Sequence, residues 1–483
     1  MISAPSISFV ALLPLLILTV TAVLALVADF WMEGPDREGL GWIGLAGLVV
    51  TAITAMALWN THVSTLSDTL VVDRYGLFFT LLFCVVSGLT LLMSMSYLET
   101  TEIQTGDYYS LVLFSTLGMV LMATATDLIV IFLGLEVMSI AAYALAGLAR
   151  SEFRSNEAAL KYFLLGAFAS GFLLFGIALL YGATGNTALP EMGQRLTTVA
   201  GEQRLLVMAG IGLLIVGFGF KIAAVPFHVW APDVYEGAPT SVTALMAVGI
   251  KAAAFAAFAR VFMHTLVVFR ADWTSVLWVL AVLTMTVGNV TALMQRNIKR
   301  MLAYSSVAHA GYLLVGMVAG GPDGGSAVLF YLIGYAFMTL GAFAVVIALG
   351  HRGQPNENLD DYAGVGFRSP FLGAAMAVFM LSLSGIPPLV GFVGKFYIFS
   401  AAVKSGYTWL AIIGVMNSVV SVYYYVGVLV RMYMTEGTVE VTAPSSRPYL
   451  FATLLLTVTG TVLLGLFPSS LFEVARQSFL ALH

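Results

Sequence analysis

Apolar runs of about 20 residues follow one another along almost the whole chain, separated by short polar segments. A run of this length crosses the hydrocarbon core of a bilayer as one α-helix. The approximate bounds of about fourteen such runs are 8–31, 41–59, 75–97, 109–126, 127–149, 157–182, 204–229, 240–264, 273–295, 299–320, 325–350, 369–403, 408–434 and 448–473. The pattern predicts an all-α, multi-pass membrane protein.

The composition favours a single membrane domain. The chain of 483 residues is 60% hydrophobic and 10% charged, whereas soluble proteins are about 25% charged. None of its polar loops is long enough to form a separate soluble domain. A formal net charge of −4 gives no electrostatic footprint for binding nucleic acid. The single cysteine, Cys84, cannot form an intrachain disulfide, and no metal-binding spacing is present.

Lys and Arg residues are distributed unevenly between the two sets of loops. An even number of spans places both termini on the same side of the membrane. The odd-numbered loops carry ten Lys and Arg residues, and the even-numbered loops and tails carry six. The ten are Arg37, Arg150, Arg154, Arg296, Lys299, Arg300, Arg352, Arg368, Arg431 and Arg447. The positive-inside rule then predicts that the odd loops are cytoplasmic and that both termini lie outside.

Four charged residues lie deep inside these apolar runs: Glu136, Lys221, Lys251 and Lys395. A charge at the centre of a membrane helix costs about 2.5–3.5 kcal/mol even on insertion scales. Groups retained at that cost are typical of proton pathways, because buried groups can gain and lose protons. We therefore expect these four residues to form a proton relay.

The four charges differ in their expected partners. Glu136 would be neutralised by burial unless a cation holds it ionised, and Lys221 is the best candidate. Lys251 has no acid within a helical turn or two, and it lies about ten residues from either end of its run, too deep to reach the surface. Lys395 also lacks a local acid and could be the exit group. A static ion pair between Glu136 and Lys221 is the alternative, but it would not account for the other two lysines.

Other polar residues are weaker candidates. His309 could connect the relay toward Lys395, because imidazole titrates near neutral pH, although a lone histidine is more often structural. Lys161 follows Glu157 by four residues, a spacing that allows an ion pair on one helix face, and it could also belong to the relay. Two further groups, His228 and Asp233, could line the mouth of a proton path. Arg260 is expected only to extend its side chain to the membrane surface.

Two of the apolar runs contain helix breakers. Pro226 and Pro232 interrupt the first, and Gly385, Pro387 and Pro388 interrupt the second. Proline removes a backbone donor and clashes with the preceding helical turn. Irregular backbone at membrane depth is tolerated only where it is buried in protein or lines a wet cavity. Each break lies within eight residues of a buried lysine, which favours a functional role for both.

The two breaks also indicate an internal repeat. The segment KYFLLGAF at 161–168 loosely resembles FYLIGYAF at 330–337, an offset of 169 residues. This offset relates Glu136 to Ser305 and places the equivalent of Lys221 five residues before Lys395. Transporters often contain inverted repeats with broken helices. The predicted organisation is N-terminal helices at 1–108, inverted five-helix repeats at 109–264 and 273–434, and a C-terminal helix at 448–473.

Three stretches carry a family resemblance: GFGFKIAAVPFHVWAPDVYEGAPTSVTALMAVGIKAAAFAAFARVF, QRNIKRMLAYSSVAHAGYLL and LSLSGIPPLVGFVGKFYIFSA. They resemble the antiporter-like membrane subunits of bacterial proton-translocating NADH:quinone oxidoreductase, respiratory complex I. The PDVYEGAP and GIPPLVGFVGKFYIF segments resemble the subunit N group in particular. The resemblance extends over essentially the whole chain.

The resemblance implies roles for the same residues. Glu136 and Lys221 would be the family's glutamate–lysine pair, Lys251 the central lysine and Lys395 the terminal lysine, with His309 at a family histidine. It implies a translocase subunit in the bacterial inner membrane that couples quinone reduction elsewhere to proton pumping. NADH, flavin, iron–sulfur clusters and quinone would reside on partner subunits, which include neighbouring antiporter-like and small membrane subunits.

Two alternatives remain open. The related multisubunit sodium/proton antiporters share this ancestry, and a purely structural subunit could use its buried charges only to hold helices together. The sequence contains no phosphate-cradling glycine loop, nucleophile elbow or ligand set for haem or iron–sulfur clusters. We therefore expect no cofactor or metal on this chain, and its energy to come from an ion gradient or a partner.

Overall fold

The computed structural model describes residues 7–32, 38–101, 103, 106–350, 356–437 and 447–482. The N-terminal elements are helices α1 (Phe9–Ala28), α2 (Glu38–Ala57) and α3 (Arg74–Thr101), with a short hairpin of β1 (Val63–Thr65) and β2 (Leu70–Val72) between α2 and α3. Of the ten basic residues assigned to odd loops, Arg37 and Arg352 lie outside the described residues.

Two units of similar element order follow. The first contains α4 (Asp107–Thr124), α5 (Leu128–Ala146), α6 (Phe153–Thr184), α7 (Leu189–Leu196), α8 (Glu202–Lys221), α9 (Ala231–Gly237), α10 (Thr240–Leu245) and α11 (Lys251–Ala259). The second contains α12 (Arg270–Ala292), α13 (Ile298–Ala319), α14 (Gly321–Leu349), α15 (Val365–Arg368), α16 (Pro370–Ser384), α17 (Val390–Lys404) and α18 (Thr408–Met434). The chain ends with α19 (Pro448–Leu466) and α20 (Pro468–Leu480).

The multi-span helical fold predicted from the sequence is confirmed. In the described part of the chain, 13 helices are long and apolar enough to cross a membrane, and α16 with α17 supplies one further, interrupted span. The last predicted run, 448–473, is not one helix, because α19 ends at Leu466 and Pro468 begins α20. Proline has no backbone N–H to continue the preceding helix.

Corresponding loops have the same hydrogen-bonding pattern in the two units. Asp127 and Asn297 each cap the N-terminus of a helix, α5 and α13, by accepting backbone hydrogen bonds. Asp127 also forms an isolated β-bridge with Ala188, and Asn297 forms the equivalent bridge with Asn358. Each residue in the second unit lies 170 positions after its counterpart. The repeat therefore includes loop geometry as well as helix order.

Close helix contacts repeat with the same offset. Gly118 of α4 lies directly against the Met138 backbone of α5, and Gly288 of α12 lies against the Ala308 backbone of α13. A Cβ atom added at Gly288 would lie 2.7 Å from the Ala308 nitrogen. In these helices the offset is thus 170, one residue more than the sequence comparison gave, so the counterpart of Glu136 is Ser306 and not Ser305.

Both broken helices occur where they were expected. The first break separates α8 from α9, and the second separates α16 from α17. Gly385, at φ 89°, ends α16 in the left-handed region that glycine adopts without steric cost. At the first break, the Val225 N–H donates to the Thr284 hydroxyl at 3.0 Å, and the Trp230 indole N–H donates to the Phe220 carbonyl at 3.1 Å. Polar backbone groups released by the breaks therefore find partners inside the protein.

Three spans form the buried centre of the protein. Nearly every residue of the segment Thr240–Thr265 is buried, and α13 and α14 are buried over most of their length. This segment is not a uniform α-helix, because π-helical turns occupy Met246–Ile250 and Arg260–Thr265. Outer helices instead expose large apolar side chains such as Phe168, as expected for a surface in contact with lipid.

Candidate buried charge relay

The three lysines expected to form the relay, and His309, lie in the protein interior. The exposed fractions are 2% for Lys221, 1% for Lys251, 4% for Lys395 and 1% for His309. Glu136 is partly exposed on α5. The four charges singled out in the sequence are thus held within membrane-spanning helices or at their breaks, and their hydrogen-bond partners define what they can do.

Glu136 and Lys221 approach the same face of α5 without a direct ion pair. The Ser170 hydroxyl of α6 donates to a Glu136 carboxylate oxygen at 2.5 Å. The Lys221 ammonium donates to Ser139 at 2.7 Å and to Tyr143 at 3.2 Å. Ser139 and Tyr143 lie one and two turns along α5 from Glu136, on the same face. Among the described salt bridges, none within 4.0 Å joins Glu136 to Lys221.

Aromatic rings complete the surroundings of the Lys221 ammonium. Its nitrogen lies 5.3 Å from the ring centroid of Tyr143, 5.6 Å from that of Tyr162 and 5.7 Å from that of Phe220. Ring faces attract a cation at such distances. Hydroxyls and π-faces therefore support the ammonium in a site that has no directly bonded carboxylate.

Lys251 donates to α13. Its ammonium lies 2.5 Å from the Ser306 carbonyl oxygen and also hydrogen-bonds the Ser306 hydroxyl. Lys251 directly follows the π-helical turn Met246–Ile250. Such turns are often found at functional sites. The counterpart of Glu136 in the second unit, Ser306, thus supplies the hydrogen-bond acceptors of the central lysine.

His309 lies one turn beyond Ser306 on α13. Its Nδ1 atom is 2.6 Å from the Tyr331 hydroxyl, and its Nε2 atom is 3.0 Å from the Tyr425 hydroxyl. Tyr425 in turn hydrogen-bonds Ser305. Both ring nitrogens of the histidine are therefore engaged by neutral hydroxyls, which can donate or accept a proton.

Lys395 is held at the second helix break. Its ammonium donates to the carbonyl oxygens of Leu383 at 2.9 Å and Ser384 at 3.0 Å, and to the Ser418 hydroxyl at 2.8 Å. It also lies 4.8 Å from the Tyr312 ring centroid. The last carbonyls of a helix lack intrahelical donors and carry partial negative charge. The broken end of α16 thus provides the acceptors for this ammonium.

One helix brings the central and terminal lysines into the same neighbourhood. Ser306, His309 and Tyr312 follow one another at intervals of three residues on α13. The first accepts from Lys251 and the last lies against Lys395. The rings of His309 and Tyr312 are 5.5 Å apart between their centroids. This arrangement connects two predicted relay residues, whereas the described hydrogen bonds do not connect Lys221 to Lys251.

Lys161 belongs to a surface network. Its ammonium lies 2.7 Å from carboxylate oxygens of both Glu157 and Asp233. Arg300 contacts Asp233 at 2.7 Å and Glu236 at 2.8 Å. Burial alone would raise the pKa of Asp233, but hydrogen bonds from Lys161 and Arg300 hold that pKa below its ordinary value. The structure confirms the i,i+4 contact, and the described hydrogen bonds and ion pairs of Lys161 do not connect it to Lys221, Lys251 or Lys395. His228 lies in the first break and is not part of this network.

The expectation for Arg260 was wrong. Its guanidinium does not reach the membrane surface but is 4% exposed and pairs with the buried carboxylate of Asp73 at 2.9 and 3.1 Å. It also donates to the Ala123 carbonyl at 2.9 Å and covers the Tyr75 ring at 4.9 Å. The pair joins the start of α3 to the second π-helical turn. Asp73 gave no sequence signal because it lies at the end of a polar loop.

The serine and tyrosine partners were also missed. Ser139, Ser306 and Ser418 are of a residue type that is common where membrane helices pack together, so the sequence does not mark them as partners of a buried lysine. The signal that could have found Ser139 is its spacing of three residues from Glu136. Among the described residues, no group of three or more His, Cys, Asp or Glu side chains could hold a metal ion.

Comparison with known proteins gives a consistent assignment. Residues 125–421 match the family described as NADH:quinone oxidoreductase/Mrp antiporter, transmembrane. NADH-quinone oxidoreductase subunit N of Trichlorobacter lovleyi is 49% identical, with 97% of this chain and 96% of the relative covered. Subunit N of Chloroflexus aggregans is 43% identical, with 100% and 99% covered.

Solved structures show the same fold. A chain of respiratory complex I from Thermus thermophilus with bound aureothin superposes with a TM-score of 0.80 at 35% identity, covering 95% of this chain and 98% of that one. A chain of the Mrp complex from a Dietzia species has a TM-score of 0.83 at 22% identity, covering 98% and 97%, which shows the fold alone. The chain therefore belongs to the NADH:quinone oxidoreductase/Mrp antiporter family of membrane subunits, in its subunit N group.

Proposed function

We propose that this chain translocates protons as a membrane subunit of an NADH:quinone oxidoreductase, using Glu136, Lys221, Lys251 and Lys395 as its relay. The observation that carries the proposal is the kind of partner each lysine has. The ammonium groups of Lys221, Lys251 and Lys395 donate to hydroxyls and backbone carbonyls, which are neutral. Desolvation disfavours a buried charge, and neutral acceptors offset it less than a carboxylate does. Such groups can exchange a proton at modest cost.

The relay begins at the Glu136–Lys221 neighbourhood. A change of charge near Glu136 alters the field at the Lys221 ammonium, because the interaction of charges is strong in a low-dielectric interior. Weakening that field favours release of the proton from Lys221 toward Lys251. From there, Ser306, His309 and Tyr312 lead along α13 to Lys395 at the second break. Lys161 assists from the surface network and ranks below the buried groups.

Other subunits of the complex supply the redox cofactors and the energy that the relay needs. NADH, flavin, iron–sulfur clusters and quinone reside on other subunits, and quinone reduction there drives the charge change. The partners are other membrane subunits, including neighbouring antiporter-like and small ones, together with the lipid bilayer. We place the chain in the bacterial cytoplasmic membrane with its odd loops in the cytoplasm and both termini outside. The support is the excess of Lys and Arg in the odd loops.

The test is NADH-driven proton uptake by the purified, reconstituted complex with Glu136→Gln or Lys221→Gln. We expect the complex to assemble and both variants to lose coupled turnover. The control is Lys404→Gln, which breaks a solvent-exposed ion pair with Asp323 and should leave turnover unchanged. Normal oxidation of NADH with normal proton uptake in both relay variants would contradict the proposal.

The fold shared with the Mrp complex favours one second candidate, a sodium/proton antiporter subunit. The same vesicles distinguish the two functions. An antiporter subunit requires sodium for proton movement and responds to an imposed sodium gradient without NADH. A subunit of the redox-driven pump moves protons in sodium-free buffer when NADH is supplied.

A further inference from the structure

Lys299 is buried at the start of a helix, where a cation is unfavourable. It is the second residue of α13 and is 3% exposed. The partial positive charge of a helix N-terminus opposes a cation at this position. Its ammonium is held by Glu357, whose carboxylate oxygen lies 3.0 Å away, and by the Ala238 carbonyl oxygen at 2.8 Å. The sequence placed Lys299 in a surface loop, and nothing in the relay above uses it.

A cavity of about 440 Å³, with both charged and apolar residues in its lining, adjoins this pair. Water occupies about 30 Å³ per molecule in the liquid, so the cavity has room for on the order of ten waters. Its charged lining residues are Glu152, Arg154, Glu236, Lys299 and Glu357. The cavity lies at the ends of α3, α5, α9 and α14 and at the start of α13, which is the odd-loop face of the protein. A cavity lined by five charged side chains favours water over lipid.

The helix that begins at Lys299 leads from the cavity to the central lysine. Lys299, Ala303 and Ser306 are spaced by four and three residues, so they lie on one face of α13. The seven-residue separation from Lys299 to Ser306 corresponds to about 10 Å along the axis. Ser306 accepts two hydrogen bonds from Lys251. The cavity is thus two helical turns from the acceptors of the central lysine.

A buried tyrosine lies along this interval. Tyr235 of α9 is 1% exposed, and its hydroxyl lies near the Ser306 side chain. The backbone carbonyl of Tyr235 accepts from Thr243 at 2.8 Å, which fixes α9 to α10. Ala238, the acceptor of the Lys299 ammonium, lies between these two helices. The Lys299 pair and the Ser306 site are therefore linked through α9 as well as along α13.

We propose that the cavity is the aqueous vestibule from which Lys251 regains its proton, and that the Lys299–Glu357 pair is the proton-exchanging group at its floor. The proposal rests on the proton-pumping function above and adds a site to it. In each cycle Lys299 gives one proton toward Ser306 and Lys251, and the pair takes one proton from cavity water. The pair therefore returns to its starting charge after each turnover.

Arginine at position 299 tests this role most sharply. Arg keeps the positive charge and the contact with Glu357 but does not release its proton in proteins. In the reconstituted complex, we expect Lys299→Arg and Lys299→Met each to slow NADH-driven proton uptake on the order of tenfold, the lower end of what one acid–base group contributes. The matched control is Lys404→Arg, in the exposed pair with Asp323. Normal uptake in Lys299→Arg, with assembly intact, would show that Lys299 is only an anchor and would overturn the inference.

Water in the cavity is tested separately by thiol labelling. Cys84 is buried, so a Cys84→Ser background allows single cysteines to be introduced. We expect Ala149→Cys, at the cavity wall, to react rapidly with a charged, membrane-impermeant methanethiosulfonate reagent. Val419→Cys is the control, because this residue is 61% exposed on the apolar outer surface of α18 and should react slowly in the membrane. Equal, slow labelling at both positions would overturn the vestibule.

The two proposals fail in different ways. If Lys251→Met lowers proton uptake severalfold while Lys299→Arg is normal, the vestibule assignment is wrong and the proposed pumping function stands. If Lys251→Met pumps normally, the proposed function is wrong whatever Lys299 does.

Discussion

The Lys395 ammonium reaches back across the break in its own helix to the carbonyl oxygen of Ser384, 3.0 Å away. Lys395 follows its break in the chain, whereas Lys221 precedes the first break. Even so, both lysines are associated with the C-terminus of the first half-helix, since Lys221 is the last residue of α8 and the Lys395 ammonium meets the last carbonyls of α16. The partial negative charge of a helix C-terminus favours a cation in both places.

Arginine should replace Lys395 without loss of stability but with loss of proton pumping. Lys395→Arg retains donors for the carbonyls of Leu383 and Ser384 but holds its proton. We expect a thermal midpoint near that of the wild type and loss of NADH-driven proton uptake. Lys395→Met should lose uptake and also stability, because each buried carbonyl left without a donor costs about 1–3 kcal/mol. Retained proton uptake in Lys395→Arg would contradict a relay role for this residue.

The glycine contact between α12 and α13 should be intolerant of even one methyl group. A Cβ atom at Gly288 would lie 2.7 Å from the backbone nitrogen of Ala308, and backbone cannot move as a flexible side chain does. We expect Gly288→Ala to lower the free energy of unfolding by about 1–3 kcal/mol, as overpacking does. The control is Gly171→Ala in α6, where no atom lies within 4 Å of the added Cβ. It should be neutral or slightly stabilising, and equal thermal midpoints for the two variants would show that the close approach is absent.

Removing one member of the buried pair Asp73–Arg260 should destabilise the protein more than removing both. Asp73→Asn leaves a buried guanidinium without its counter-charge, and we expect a loss of about 3–5 kcal/mol. Replacing both residues, as in Asp73→Leu with Arg260→Met, should recover much of that loss, because an apolar pair avoids the desolvation of two charges. Thermal unfolding of the purified complex measures both. If the double variant is less stable than Asp73→Asn, the ion pair has a positive role beyond mutual neutralisation.

The lowered pKa of Asp233 predicts how its contribution to stability depends on pH. Hydrogen bonds from Lys161 and Arg300 outweigh burial and hold the pKa of Asp233 below its ordinary value of 3.8. A carboxyl group whose pKa is lowered by folding contributes stability above its unfolded pKa, and that contribution is lost as the pH falls through the folded value. The stability difference between wild type and Asp233→Asn should therefore be constant from about pH 5 to 8. A difference that changes within this range would show that Asp233 titrates near neutrality.

Hydropathy and spacing were sufficient for the helices and for the depth of the relay lysines. They fail where a side chain's partner is distant in sequence. Arg260 looked like a residue that reaches the surface because Asp73 is 187 positions away. Ser306 looked ordinary because its role follows from Lys251 on another helix. Neither contact leaves a local pattern, so both required the packed structure.

The internal repeat shows a second limit of sequence comparison, which is an error of one residue in the offset between the two units. Similarity between segments gave an offset of 169, whereas the paired bridges of Asp127 and Asn297 lie 170 residues apart. An error of one residue rotates a helical position by about 100°. Because of this error, the sequence comparison assigned Ser305, which hydrogen-bonds Tyr425, as the counterpart of Glu136. The structural counterpart is Ser306, which hydrogen-bonds Lys251. Weak sequence similarity therefore located the repeat but did not fix which faces correspond.

Proton uptake by the reconstituted complex carrying Lys251→Met tests the central claim most directly. Methionine replaces a buried charge with an apolar side chain, and the Ser306 carbonyl lies in the interior of α13, where it keeps its intrahelical donor. Assembly and thermal stability should therefore be preserved or improved. The relay account expects NADH-driven proton uptake to fall severalfold while the complex remains intact. A structural role for the buried lysines gives the reverse result, with lowered stability and wild-type proton uptake, and that result would contradict the account.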